Sequence, residues 1–133
     1  MRVRELMQKD VKTVDREATV NDAVVALTDA HISALPVVDA AGRMVGVISS
    51  TDVLTSEAEA RDAVEREALF EQMMVRDIMT PRPLTISPEA EIKEAAQQML
   101  YADIHRLFVT QGDKVIGVIS TTDIVRAVAN GDL

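Results

Sequence analysis

Apolar residues recur along this chain with two alternating periods. Val20, Ala23, Val24 and Leu27 fall at i, i+3, i+4 and i+7, which predicts an amphipathic helix; Ile92, Ala95, Ala96 and Met99 repeat the stripe. A short extended piece precedes each, at 11–14 and 84–86. Thr19 with Asp22 has the form of a capping box, and Ser87-Pro88-Glu89 reads as a cap followed by a first-turn proline. Two apolar strands follow each helix. They are predicted at 35–38 and 44–48 across a turn holding Ala41-Gly42, and at 107–109 and 115–119 across Gly112-Asp113. A second helix opens at Ser49-Ser50-Thr51-Asp52 and again at Ser120-Thr121-Thr122-Asp123. The predicted order is β-α-β-β-α, twice, an α/β chain of the α+β type.

The duplication extends to the residues themselves. Val3-Arg4-Glu5-Leu6-Met7 returns 72 residues later as Val75-Arg76-Asp77-Ile78-Met79. Gly46-Val47-Ile48-Ser49-Ser50-Thr51-Asp52 returns 71 residues later as Gly117-Val118-Ile119-Ser120-Thr121-Thr122-Asp123, one residue being lost near Gly112. Two copies, and not the three or more of a solenoid, predict two units about a pseudo-two-fold axis, with a cleft between them as the natural ligand site. The expected boundaries are 1–60 for the first unit, 61–74 for a helical connector and 75–133 for the second. A unit of about 60 residues buries only roughly 60% of its unfolded surface, so the halves are expected to share a core. The stretch 55–73 lacks Gly and Pro and reads as one helix with a charged, solvated outer face. Leu54, Ala58, Val64 and Leu69 are its inward candidates, and the tail from Asn130 is expected to fray.

Composition removes several classes of function. The net charge of −8 opposes general nucleic-acid binding, which needs a basic face. Phe70, Tyr101 and Phe108 are the only aromatic residues, too few for a base-stacking platform. The absence of cysteine excludes disulfides, thiolate metal sites and thiol nucleophiles. His31 and His105 are the only imidazoles; His31 suits the negative end of a helix better than a metal. The seven methionines are scattered and read as packing residues. No apolar run approaches the ~20 residues of a membrane span, and the opening residues lack an apolar signal-like stretch. A cytoplasmic location without membrane association is expected.

The repeated strand-to-helix junction carries the chemistry. A helix N-terminus offers unpaired N–H groups and the positive end of a dipole, which favour an anion. Ser and Thr hydroxyls add donors to a phosphate, and a carboxylate just inside the helix can accept from the two vicinal hydroxyls of a ribose. The combination suits a nucleoside phosphate. Ser49-x-x-Asp52 and Ser120-x-x-Asp123 are equally well formed capping boxes, which need no ligand. Capping does not, however, ask for Thr before Asp in both copies. Asp52 and Asp123 have no His, Lys or nucleophile at a suitable spacing, so acid–base catalysis is not expected.

Three segments together resemble a known family: Val75-Arg76-Asp77-Ile78-Met79-Thr80-Pro81, Leu35-Pro36-Val37-Val38-Asp39, and the two Gly-apolar-apolar-Ser-x-Thr-Asp stretches. From about Val3 to Ala129 the chain resembles a tandem pair of CBS (cystathionine-β-synthase-type) domains, a Bateman module. The resemblance implies a regulatory, non-enzymatic module that senses energy state or metabolites. It would need no cofactor and bind AMP, ADP, ATP or S-adenosylmethionine as regulatory ligand. It implies that Ser49, Thr51 and Asp52, and likewise Ser120, Thr122 and Asp123, contact phosphate and ribose. By the family's arrangement, one site joins Thr13, Val14 and Ala34 to the second junction. The other joins Thr85, Ile86, His105 and Arg106 to the first.

Ile104-His105-Arg106-Leu107 resembles the phosphate-touching segment in the γ subunit of AMP-activated kinase. Ile32-Ser33-Ala34-Leu35 lacks both basic groups, so the site with His105 and Arg106 is expected to hold phosphate more strongly. The bland readings are a surface histidine and a surface ion pair. Phe108 departs from the family by standing where Pro36 stands in the first repeat. Such modules commonly form homodimers through their helices, and a homodimer is expected here, with a separate chain as the possible regulated partner. The alternative is a ligand-independent dimerisation or protein-interaction module that has lost nucleotide binding.

Overall fold

The computed structural model describes all 133 residues, Met1–Leu133. The chain opens with α1 (Val3–Leu6), β1 (Val14–Asp15), α2 (Val20–Ala30), β2 (Ala34–Val38), β3 (Met44–Ser49) and α3 (Ser50–Glu59). It continues with α4 (Ala63–Gln72), α5 (Val75–Ile78), β4 (Thr80–Pro81), β5 (Thr85–Ile86) and α6 (Ile92–Ala102). Last come β6 (Arg106–Gln111), β7 (Lys114–Ser120) and α7 (Thr121–Ala129). The architecture is mixed α+β, with two sheets.

Two compact units result. One is Lys12–Pro83; the other combines Met1–Val11 with Leu84–Leu133. These units do not coincide with the sequence repeats, because the segment that opens each repeat belongs to the unit built on the other. In Lys12–Pro83 the sheet order is β1-β2-β3-β4. β1 is parallel to β2, with Val14 opposite Val37; the β2–β3 hairpin is antiparallel, with Ala34 opposite Ser49. β4 closes the edge, with Thr80 opposite Val47. Alternation in the strands and the 3.6-residue stripe of α2 turn Val14, Ala23, Leu27, Leu35, Val37 and Ile48 into one core, and Val75 of α5 completes it. The other unit repeats this plan with β5-β6-β7, and an isolated bridge from Gln8 to Val118 takes the place of the fourth strand. Its core is Ile86, Ile92, Ala95, Met99, Leu107, Val109 and Ile119, completed by Val3 of α1.

Each opening segment is a strap docked through backbone bonds. Val3 N–H donates to the Ala90 carbonyl at 2.9 Å, and Arg4 N–H to that of Pro88 at 3.0 Å. In the other unit, Val75 N–H donates to Ala18 at 2.8 Å and Arg76 N–H to Arg16 at 3.1 Å. The motif glycines permit this approach. A Cβ on Gly117 would stand 2.7 Å from Met7 Sδ and 2.9 Å from the Gln8 carbonyl oxygen. One on Gly46 would stand 2.6 Å from Met79 Sδ and 2.8 Å from the Thr80 oxygen. The repeated glycine therefore serves strap packing.

Several expectations change. Each unit has its own core cluster, and each cluster is completed by the strap that opens the other repeat. The helix expected over 55–73 is broken after Glu59, and α4 restarts with Asp62 as N-cap, its carboxylate accepting from Glu65 N–H at 2.9 Å. Of the inward candidates only Leu69 is buried; Ala58 is exposed, as are Leu54 at 63% and Val64 at 76%. Ala60 is the C-cap of α3 and Asp62 the N-cap of α4, so the four candidates do not lie on one continuous helix. Ser87-Pro88-Glu89 does not start a helix. Ser87 Oγ accepts from Glu89 N–H at 3.1 Å in a turn, and α6 begins at Ile92 after Glu91. That turn presents the carbonyls of Pro88 and Ala90 to the strap, which explains why the helix waits. The predicted capping box at Thr19 and Asp22 is formed, with bonds of 3.1 and 3.2 Å.

Candidate functional site

The two strand-to-helix junctions share one geometry. Ser49 ends β3 and caps α3: its Oγ accepts from Asp52 N–H at 3.1 Å, while its own N–H donates to Asp52 Oδ2 at 2.9 Å. Ser120 and Asp123 do the same for α7, at 3.1 and 2.8 Å. Both capping boxes anticipated from the sequence are thus present. The cap takes Oδ2 of each carboxylate. Ser49 Oγ also donates to Asp52 Oδ2, at 3.0 Å.

The second carboxylate oxygen meets the strap. Asp52 Oδ1 accepts from Thr80 Oγ1 at 3.3 Å. Asp123 Oδ1 accepts from Gln8 Nε2 at 3.1 Å and lies 3.6 Å from Arg126 Nη1. An ionised carboxylate offers about four lone-pair sites. Capping through Oδ2 therefore leaves Oδ1 able to exchange its present donor for another, and cap and ligand acceptor are compatible roles.

The remaining residues of the expected sites are distributed as follows. Thr51 and Thr122, exposed in the first helical turn, take no part in the capping boxes. Ala34 stands directly opposite Ser49, and Arg106, half-buried, directly opposite Ser120. Each unit thus gathers its Ser, Thr and Asp with the first residue of the neighbouring strand, a cation in one case and a methyl group in the other. His105 is exposed, and its backbone carbonyl accepts from Thr121 N–H at 2.9 Å, as Ser33 does from Ser50. Thr13 is exposed just before β1, and Val14 is buried opposite Val37. Val37 lies three residues along β2 from Ala34, about 10 Å at strand rise, so Thr13 and Val14 are not at the junction of their own unit. Thr85, half-buried, and Ile86, buried, pair with Phe108 and Val109 in the same relation. Both also line an open cavity of about 360 Å³ with Ser87, Glu89, Thr110 and Gln111, away from Ser120 and Asp123.

Gln8 and Thr80 are the residues that sequence reasoning passed over. Their signal was available: each follows the methionine that ends the repeated Val-Arg-x-x-Met stretch. Asp39, in the β2–β3 turn, has its pKa held below the ordinary 3.8, first by the backbone N–H of Arg43 and also by its guanidinium and the Ala41 N–H. No group of three or more His, Cys, Asp or Glu residues could hold a metal ion. No helix is long and apolar enough to cross a membrane.

Comparison with known proteins agrees with this architecture. The sequence model of the CBS domain matches residues 3–59 and again 75–130. The chloroplastic CBS domain-containing protein CBSX1 of Arabidopsis thaliana is 27% identical over 94% of this chain, which spans 63% of that protein. A homoserine O-acetyltransferase of Methanohalobium evestigatum is 29% identical over 95% of this chain, a match that occupies only 24% of that enzyme. The chain thus spans between about a quarter and three-fifths of the length of these relatives. Among solved structures, Arabidopsis CBSX2 in complex with AMP is 27% identical and superposes with a TM-score of 0.83, covering 99% of this chain and 98% of that one. Doubled junctions, doubled sheets and a doubled family match lead to one assignment: the chain belongs to the CBS-domain family, as a tandem pair.

Proposed function

We propose that this CBS pair is a regulatory module that binds an adenosyl ligand, AMP, ADP, ATP or S-adenosylmethionine, through its two strand-to-helix junctions. The observation that carries the reading is the exposed threonine at each junction. The capping boxes use Ser and Asp alone, yet Thr51 and Thr122 stand beside them in both copies. The AMP bound by CBSX2 supports the choice of ligand class. Asp52 and Asp123 accept from ribose hydroxyls. Ser49, Thr51, Ser120 and Thr122, with His105 and Arg106, meet phosphate. Thr13, Val14, Ala34, Thr85 and Ile86 flank the base. Arg106 supplies the charge-assisted, bidentate contact that Ala34 lacks, so polyphosphates favour the site it serves.

No catalytic step is assigned to the chain. Ligand binding biases its conformation or assembly, and a homodimer or a second protein in the cytoplasm reads the change. The acetyltransferase relative, in which the matched region is a minor part of a longer enzyme, fits such a controlling role.

A thermal-shift screen with AMP, ADP, ATP and S-adenosylmethionine tests this directly. A ligand at a hundred times its Kd adds about 2.7 kcal/mol, roughly 10 °C in melting temperature for a chain of this size. No shift with any of them overturns the reading. If a ligand binds, calorimetry of ATP with Arg106→Ala tests the phosphate role, and unchanged affinity removes it.

A ligand-independent assembly module is the second reading. Both carboxylates are already satisfied by their own helix and strap, and Leu100, Tyr101, Val125 and Val128 are at least half exposed on α6 and α7. Under this reading the screen is silent, and light scattering shows a defined oligomer that none of the ligands alters.

A further inference from the structure

The two junctions differ at one strap position, and the difference bears on the oxygen that a ribose would use. Gln8 and Thr80 occupy equivalent places, 72 residues apart. Each bonds the adjoining strand through its backbone or ladder position: Gln8 N–H donates to Val118 O at 2.8 Å, Val118 N–H to Gln8 O at 3.0 Å, and Thr80 pairs with Val47. Each side chain donates to Oδ1 of the junction carboxylate, Gln8 Nε2 at 3.1 Å and Thr80 Oγ1 at 3.3 Å.

The donors are chemically unequal. A threonine hydroxyl rotates, and it accepts as readily as it donates, so it can receive a ligand hydroxyl while that hydroxyl's neighbour bonds the carboxylate. The Gln8 nitrogen that faces Oδ1 only donates, at 3.1 Å, and the planar amide must turn over as a whole to offer its oxygen instead. Asp123 is also the more enclosed carboxylate, 7% exposed against a half-buried Asp52, and Arg126 adds an ion pair at 3.6 Å. The position equivalent to Arg126 is Thr55, which brings no charge to Asp52. Gln8 itself is exposed, so its amide can swing into water when displaced.

We propose that Gln8 is a built-in competitor for the ribose-binding oxygen of Asp123, making Asp123 the weaker ribose acceptor of the two junction carboxylates and leaving Asp52 as the primary one. The inference rests on the adenosyl-ligand reading and assigns Gln8 as a specificity-determining residue within it. A hydrogen bond to a charged acceptor, worth on the order of tenfold in affinity, sets the upper scale of the gain when the amide gives way to a hydroxyl that can turn and accept from the ligand.

The experiment is calorimetric titration of AMP into the full chain, with Asp52→Asn as background to isolate the second junction. Gln8→Thr in that background tightens AMP binding about tenfold, while Thr80→Ala in the otherwise unchanged chain has a smaller effect. The Gln8 backbone bonds to Val118 do not depend on the side chain, and melting temperature verifies that the strap stays docked. Independently, the Gln8 side-chain amide resonance of the unaltered protein shifts as AMP fills the second site. AMP binding that Asp123→Asn weakens but Gln8→Thr does not alter, with an unmoved amide resonance, overturns the competitor role alone. AMP binding by neither the unaltered chain nor Gln8→Thr overturns both the role and the reading beneath it. Binding that appears only on Gln8→Thr supports both.

Discussion

Val3→Ala should loosen the unit built on the second repeat and spare the unit built on the first, although Val3 stands at the start of the chain. Val3 is 0% exposed and sits in one core with Ile86, Ile92, Met99, Val109 and Ile119. Its truncation removes two buried methyl groups, about 1.6 kcal/mol at ~0.8 kcal/mol for each, and leaves a cavity that raises the cost to about 2–3 kcal/mol. Amide hydrogen exchange locates the loss. If each unit opens separately, 2 kcal/mol accelerates exchange through its opening by roughly thirtyfold. Amides of Val109 and Ile119 should accelerate by that factor, while those of Val37 and Ile48 hold their rates. Val75→Ala should give the mirror image, since Val75, also 0% exposed, completes the core of Lys12–Pro83. Acceleration of Val37 and Ile48 by Val3→Ala, or equal acceleration in both units, would refute the strap-exchanged architecture.

Further outcomes follow from single contacts. Gly117→Ala places a Cβ 2.9 Å from the backbone oxygen of Gln8, which no side-chain rotation relieves, and should lower the melting temperature by more than a surface Gly→Ala change. Asp62→Ala removes the N-cap of α4 and should cost about 1 kcal/mol, read by denaturant titration, with α3 unaffected. Asp39 has a depressed carboxyl pKa, so its bonds stabilise the β2–β3 turn at pH values above the ordinary 3.8 and weaken as pH falls through the lower folded value. Carbon-detected titration should place the Asp39 midpoint below 3.8, and a midpoint at or above it contradicts the turn geometry.

The periods and the turn residues made most of the fold legible. The stripe Val20, Ala23, Leu27 and its copy Ile92, Ala95, Met99 are buried as read, and Gly42 and Gly112 take the positive φ values of 80° and 62° that their hairpins require. Local pattern carries no information about partners, so it could not reveal which repeat Val3 or Val75 would complete. The glycines of the junction motif held the clue, for a strand glycine often marks a close backbone approach. The break at 60–62 was missed because no Gly or Pro marks it; Asp62 makes the cap instead. At the junctions, the sequence identified the capping partners and the carboxylates together. It could not divide their oxygens, one to the helix and one to the strap, because Gln8 and Asp123 lie 115 residues apart.

The most direct test is a nitrogen–proton correlation spectrum recorded during titration with AMP. The amides of Ser49 to Asp52 and of Ser120 to Asp123 should each move to saturation, every junction at its own AMP concentration, ahead of the rest of the chain. If both stretches hold still at millimolar AMP, ADP, ATP and S-adenosylmethionine, the carboxylates serve only their helices and straps, and the chain is no adenosyl sensor.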